Sequence, residues 1–359
     1  MAAESADLAA LARRTALAPP YAHGGPAGRG RLRISPEDFR VDEDLGFVPD
    51  GGVAHVLLRI EKRGRDTLAV ARDLAAQAGV AARDVGFAGL KDRHAVTTQW
   101  FTVPAARAAV EWRGRAGDGW HVVDAAPHSR KLRRGTLRGN AFRLCVREVE
   151  ADAGALAARL AAVAARGVPN YFGPQRFGRD GGNLDAVLAW AAHARLKRGR
   201  EQRAFVYSAA RSLVFNTVLG VRVADATWDR LLVGELVNLD GRRSWFRASA
   251  LAAALEDRLA IGDVHPTGPL PGAGERPDGA AGELEARAAA PFAPVAEALA
   301  TAGLEAARRP LRVRPAGFAH ARDGATLTLE FALPAGAYAT AVVRELLACE
   351  AVPEEADDA

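Results

Sequence analysis

Apolar and polar positions alternate most cleanly near the two ends of the chain. Val56, Leu58 and Ile60 share one face of the stretch from His55 to Glu61, and Leu327, Leu329, Phe331 and Leu333 alternate with Thr328 and Glu330. Both patterns predict half-buried strands. Arg31-Leu32-Arg33-Ile34 and Phe39-Arg40-Val41 are shorter extended pieces on either side of a Ser35-Pro36-Glu37-Asp38 turn. The β-branched and aromatic run from Ala95 to Val103 predicts a further strand. So does the alternation of Phe142, Leu144 and Val146 with Arg143, Cys145 and Arg147.

Helical spacing fills the middle. Asp66 or Thr67 caps a helix with Leu68, Ala71, Leu74, Ala75 and Ala78 on one side, stopped by Gly79, and Ala81 to Val85 adds a short helical stretch. Further helices are predicted around Leu156, Leu160 and Val163 up to Gly167, then over Leu184 to Arg195, Tyr207 to Val221, Glu283 to Arg308 and Tyr338 to Leu347. Pro266 to Gly282 reads as a Pro/Gly-rich loop. Strands before and after a helical middle predict an α+β fold, with a helix-rich domain over 168–315 inserted into a domain formed by 30–167 plus 316–350. Residues 1–29 read as a short helix and flexible arm, and 351–359 as an acidic, disordered tail.

A chain of 359 residues can bury a large core and favours two domains. Lys and Arg number 48 against 43 Asp and Glu, a net charge of +5, and the Ala-, Arg- and Gly-rich composition has the look of GC-biased coding. Arginine abundance alone is therefore weak support for nucleic-acid binding, and clustering matters more. From His128 to Arg143 the chain carries Arg130, Lys131, Arg133, Arg134, Arg138 and Arg143 and no acid. This is either a solvated loop or an RNA-backbone surface leading into a base-stacking strand. Cys145 and Cys349 are too few for a tetrahedral zinc site, and His94, His121, His128 and His193 are scattered without ligand spacing. There is no Walker-type loop and no Gly-x-Ser-x-Gly elbow. No apolar run approaches the ~20 residues of a membrane span, and the N-terminus lacks a signal-peptide pattern, so the expectation is a cytoplasmic protein without membrane partners.

What remains is the stretch Gly86-Phe87-Ala88-Gly89-Leu90-Lys91-Asp92-Arg93-His94-Ala95-Val96-Thr97-Thr98-Gln99-Trp100. Small residues let its backbone pass close to neighbours, and Asp92 sits between two cations, which should keep it ionised. By spacing alone an exposed turn Asp is the commoner outcome.

The same stretch closely resembles the signature of the TruD family of tRNA pseudouridine synthases. Further similar segments follow in order: Ser35 to Phe39, Arg133 to Phe142, Gly167 to Gly178, Ser208 to Ser212 with Phe215-Asn216, Gly241 to Phe246, and Leu333 to Thr340. The resemblance implies a pseudouridine-synthase-like mixed or antiparallel sheet domain with an inserted family-specific domain. It implies isomerisation of a tRNA uridine, at position 13 in bacterial members, with neither metal nor nucleotide cofactor. A monomer is expected, although the sequence carries no signal for the oligomeric state. The resemblance makes Asp92 the essential catalytic residue and Phe39 and Phe142 the aromatics beside the flipped uracil. Asn140 becomes a polar neighbour of the substrate, and Tyr338 stands where relatives often have Phe. Arg33 occupies a Lys/Arg position and is the expected ion-pair partner of Asp92, with Lys91 as the alternative. Arg130, Lys131, Arg133, Arg134 and Arg138 would meet the RNA backbone. Two other readings compete: a non-catalytic RNA-binding or RNA-folding protein, and a glycosidase-like hydrolase whose second carboxylate would be Glu37 or Asp38.

Overall fold

A computed structural model describes residues 2–105, 110–193, 199–242 and 244–351. Arg243 and the expected acidic tail from residue 352 onward lie outside the described residues. The chain divides into two units, one built from Ala27–Leu156, Pro315–Gly336 and the residues from Leu347 onward, the other from Met1–Pro26, Ala157–Arg314 and Ala337–Leu346.

The first unit is an eleven-stranded mixed sheet among the described residues. Its strands are β1 (Gly28–Leu32), β2 (Phe39–Asp44), β3 (His55–Arg63), β4 (Gly86–Phe87), β5 (Val96–Pro104), β6 (Ala116–Gly117), β7 (Trp120–His128), β8 (Gly139–Ala151), β9 (Ala316–Asp323), β10 (Thr326–Pro334) and β11 (Ala348–Ala351). The order is β9-β10-β8-β2-β5-β3-β7-β6, with β1 between β8 and β11 and β4 beside β5. Only β2 with β5 and β1 with β11 run parallel. Alternation decides which side of each strand is buried. Leu58 and Ile60 of β3 and Phe101 and Val103 of β5 pack against Val70, Ala71, Leu74, Ala75 and Ala78 of the helix Thr67–Ala78. Asp66 caps that helix by accepting from the Ala69 amide at 2.8 Å, and Gly79 ends it in a left-handed conformation, φ 64°. Leu68, expected inside, is exposed, and Val70 takes its place.

Two differences from the sequence expectation have simple causes. The first strand covers Gly28–Leu32 and not Arg31–Ile34, because Arg33 turns the backbone at φ 66°. Strand β7 was not foreseen: a register shift against β3 and a run of exposed positions erase its alternation.

The second unit is mainly helical. Helices Ala2–Leu17, Gly182–His193, Arg200–Ala224 and Ala293–Thr301 enclose a core containing Phe177, Leu213, Phe215, Trp228 and Phe292. Within the longest helix, Gln202–Ala224 is long and apolar enough on composition to cross a membrane, contrary to the sequence reading, yet Leu213, Phe215 and Leu219 are fully buried in this core. The expected flexible arm is also corrected: the N-terminal helix buries Ala12 and Ala16 here. Pro266 to Gly282 is not all loop, since Thr267–Leu270 forms a strand with Ala307–Pro310. The single helix expected over Glu283 to Arg308 is split into Gly279–Ala289 and Ala293–Thr301, because Pro291 and Pro294 supply no amide donors for a continuous helix. The helix Ala339–Leu346, expected with the sheet domain, groups with the helical unit.

Candidate active site

Strand β4, which leads into the loop before β5, opens on Gly86 because nothing larger fits. A Cβ there would lie 2.4 Å from Thr102 Oγ1 and 2.6 Å from the Leu132 carbonyl oxygen. Buried polar groups then pin the loop. Gln99 Nε2 donates to the Gly89 carbonyl at 3.2 Å, and the Lys91 amide donates to Thr67 Oγ1 at 2.9 Å. The Lys91 ammonium forms a buried ion pair with Glu43, whose other oxygen accepts from the Trp100 amide at 3.1 Å. Lys91, the alternative partner considered for Asp92, is thereby committed to Glu43 and holds the loop.

Behind the loop stands Lys62, fully buried at the end of β3. Its ammonium donates to the carbonyls of Arg65 and Asp92, each at 2.7 Å. Burial lowers its pKa to about 8, against the opposing attraction of Asp92 and Asp66 and with further lowering from Lys91. The held loop presents the Asp92 carboxylate to solvent, 54 % exposed, with Arg33 Nη2 at 2.5 Å from Oδ2. Of the two cations considered for Asp92, Arg33 is the one in contact.

Arg33 also lies over Phe39, its guanidinium carbon 4.1 Å from the ring centroid. Phe39 is consequently 4 % exposed, whereas Phe142 remains half-buried. The two rings meet edge to face at 6.2 Å, and Phe142 lies 5.5 Å from Phe331. Cross-strand register explains this gathering. Phe331, Phe142, Val41, Thr97 and Lys62 are successive partners across β10, β8, β2, β5 and β3, so they form one row on one face. In the next row Asn140 pairs with Glu43. The Asn140 Oδ1 is buried without a hydrogen-bond partner among the described residues. An orphaned amide acceptor on a face with a half-open aromatic ring suits a planar ligand that carries an N–H.

The remaining expected residues fall elsewhere. Tyr338 belongs to the helical unit, where its hydroxyl accepts from Arg176 Nη2 at 2.8 Å and its ring lies 6.4 Å from Phe172. The basic segment is an exposed loop between β7 and β8. In it Arg130 and Arg133 have no partner among the described residues, Lys131 donates to the Arg83 carbonyl, Arg134 covers Phe87 at 5.4 Å, and Arg138 pairs with Asp44. Glu37 is paired with Arg63, and buried Asp38 with Arg147 at 2.7 Å, which leaves the hydrolase reading without a second free carboxylate. No group of three or more His, Cys, Asp or Glu is placed to hold a metal among the described residues. Lys62, Glu43, Gln99, Thr67 and Phe331 were not foreseen as site residues. For two of them a signal was present: Lys62 continues the apolar positions Val56, Leu58 and Ile60, and Glu43 continues Phe39 and Val41. A charge on the buried face of a strand demands a partner.

Comparison with known proteins places the chain among relatives of one family. The profile of the family described as tRNA pseudouridine synthase D (TruD) matches residues 18–199 and 189–346. The chain is 47 % identical over 343 residues to tRNA pseudouridine synthase D of Xanthomonas campestris pv. campestris (strain 8004), covering 91 % of this chain and 94 % of the relative. It is 46 % identical over 332 residues to the protein of the same name from Methylococcus capsulatus, again covering 91 % and 94 %. The fold is similar to the crystal structure of a Methanosarcina mazei protein assigned to TruD, with a TM-score of 0.70 at 22 % identity over 94 % of this chain and 98 % of that one. The α+β fold with a mixed sheet is thus that of its relatives, and the chain belongs to the tRNA pseudouridine synthase D (TruD) family.

Proposed function

We propose that this protein isomerises uridine to pseudouridine in tRNA, at position 13, with Asp92 as the catalytic residue. The observation that carries the reading is the Arg33–Asp92 pair beside a half-open Phe142 and an unpartnered Asn140 Oδ1. A duplex or stacked uridine cannot reach a carboxylate on a protein surface, so the nucleotide is extruded, and aromatic stacking compensates part of the stacking it gives up. Since Arg33 already covers Phe39, the uracil stacks on Phe142, with Phe39 holding Arg33 in place. The Asn140 Oδ1 accepts the uracil N3–H, and its amide group donates to an adjacent carbonyl. In the reaction the bond from C1′ to N1 breaks, the uracil turns, a bond from C1′ to C5 forms, and the C5 proton leaves while N1 gains one. Atoms balance without oxidant or water. Asp92 acts either by attacking C1′ or as the base that starts elimination, and the guanidinium at 2.5 Å balances its charge in both cases.

The test is incubation of purified protein with unmodified tRNA, followed by mapping of pseudouridine. The unaltered chain should form it at one uridine, and Asp92→Asn should abolish turnover while retaining tRNA binding. Full activity in Asp92→Asn would remove Asp92 from the mechanism, and modification elsewhere in the tRNA would remove position 13.

A further inference from the structure

At the other end of β3 from Lys62, a cavity of about 720 Å³ opens beside the basic loop. His55 starts that strand seven residues before Lys62, so at the ordinary rise the two ends lie roughly 23 Å apart. A base held there is not the uridine that meets Asp92.

The cavity is built around a stacked pair. Phe47 lies on His128 with ring centroids 5.6 Å apart and planes at 16°. His128 is buried, 6 % exposed, but Phe47 is 41 % exposed and keeps a ring face for another partner. Arg130 and Arg133 stand at the rim, exposed and without a partner among the described residues. One carboxylate, Asp50, lines the same space and is already committed. It accepts from the Gly52 amide at 3.0 Å, the Ser129 amide at 2.8 Å and the Ser129 hydroxyl. The Ser129 hydroxyl first, and the two amides with it, hold that carboxyl well below the usual range. The Nδ1 atoms of His55 and His128 are buried and have no hydrogen-bond partner, although Asp50 Oδ1 stands 3.2 Å from the latter. Burial lowers the His55 pKa, against an opposing hydrogen bond with the Ser129 backbone and with further lowering from His128 and Lys131. An aromatic face and two free guanidinium groups together suit a planar, polar, anionic group. A bare phosphate has no use for the open face of Phe47, and an apolar peptide has none for the arginines.

We propose that this cavity is a second RNA subsite, which stacks one unpaired base of the bound tRNA on Phe47 and takes the adjoining phosphodiester on Arg130 and Arg133. The proposal rests on the reading of the chain as a tRNA-modifying enzyme and adds a contact remote from the reacting uridine.

The experiment measures binding of full-length tRNA transcript, and of a short stem-loop carrying only the modified uridine and its flanks, by Phe47→Ala, Phe47→Tyr and Arg133→Ala chains. Phe47→Ala should weaken binding of the full transcript about tenfold, the lower end for loss of one base stack, and Phe47→Tyr should restore it. Arg133→Ala should weaken it in a salt-dependent way, reducing the slope of log affinity against log salt by roughly 0.7 to 0.9. On the stem-loop all three should bind like the unaltered chain. Unchanged transcript binding by Phe47→Ala overturns the proposal, as does an equal loss on the stem-loop or a loss that Phe47→Tyr fails to restore. Saturable binding of adenosine 5′-monophosphate at micromolar concentration, abolished by Phe47→Ala, would make it a mononucleotide pocket and would also overturn it. Failure of the enzymatic reading registers separately, as absence of pseudouridine in transcript incubated with the unaltered chain.

Discussion

Arg33 adopts a left-handed backbone, φ 66°, a conformation that costs a non-glycine residue about 1–2 kcal/mol. The strain aims one side chain at two targets, the Asp92 carboxylate and the face of Phe39. Glycine at this position would relieve the backbone strain and add chain entropy to the unfolded state, while the lost ion pair is half-exposed and worth under about 1 kcal/mol. Arg33→Gly should therefore unfold within about 1 kcal/mol of the unaltered chain in urea titration. Its single-turnover rate of pseudouridine formation should fall by about 10²-fold, because a preorganised charge at the reacting centre is lost. A chain that unfolds much earlier would mean Arg33 is there for stability; an unchanged rate would dismiss its role beside Asp92.

The loop before β5 depends on strands that deliver charged groups from beneath. Lys62 on β3 has an ordinary pKa of 10.5 and is brought to about 8 by burial. The unfolded chain thus holds this proton more tightly than the folded one, so the contribution of Lys62 to stability is constant below about pH 7 and rises between pH 8 and 10.5. Between pH 7 and 9 the unaltered chain should gain about 1 kcal/mol relative to Lys62→Met, measured as the difference in unfolding free energy at the two pH values. A difference that stays flat would show that Lys62 is not the buried, proton-shedding group described. Because Lys62 holds the Asp92 carbonyl, the same variant should also lose rate more than tRNA affinity. In β4, just ahead of the loop, Gly86→Ala would press a methyl group against Thr102 Oγ1 and the Leu132 carbonyl, and should destabilise the sheet unit by roughly 1–3 kcal/mol on thermal unfolding.

For the molecule as a whole, a net charge of +5 is small for a partner as anionic as tRNA, so the placement of the arginines carries the electrostatics. Not all of them are available. Arg130 has no partner among the described residues, but Arg138 is neutralised by Asp44. In salt titrations of tRNA binding, Arg130→Ala should lower the log–log slope by roughly 0.7 to 0.9, and Arg138→Ala by clearly less. Equal effects would mean that the Asp44 pair opens on binding.

Much of this was legible in one dimension. The alternation of β3, β5, β8 and β10 and the caps of the helix at Thr67 are local properties, set by side-chain period and by one carboxylate and one glycine. Asp92 was visible because an ordered set of short motifs surrounds it. The parts that escaped depend on registers between strands far apart in the chain. Only the pairing of β2 with β8 puts Asn140 beside Glu43, and only the pairing of β3 with β5 sets Lys62 in line with Thr97. The Arg33–Asp92 contact, across 59 positions, was expected from the family resemblance and not from local pattern; the pairing of Lys91 with Glu43 was not expected at all. Local pattern settles which face of a strand is buried; which charges meet on that face is decided when the strands pair, because a buried charge must find its counter-charge there.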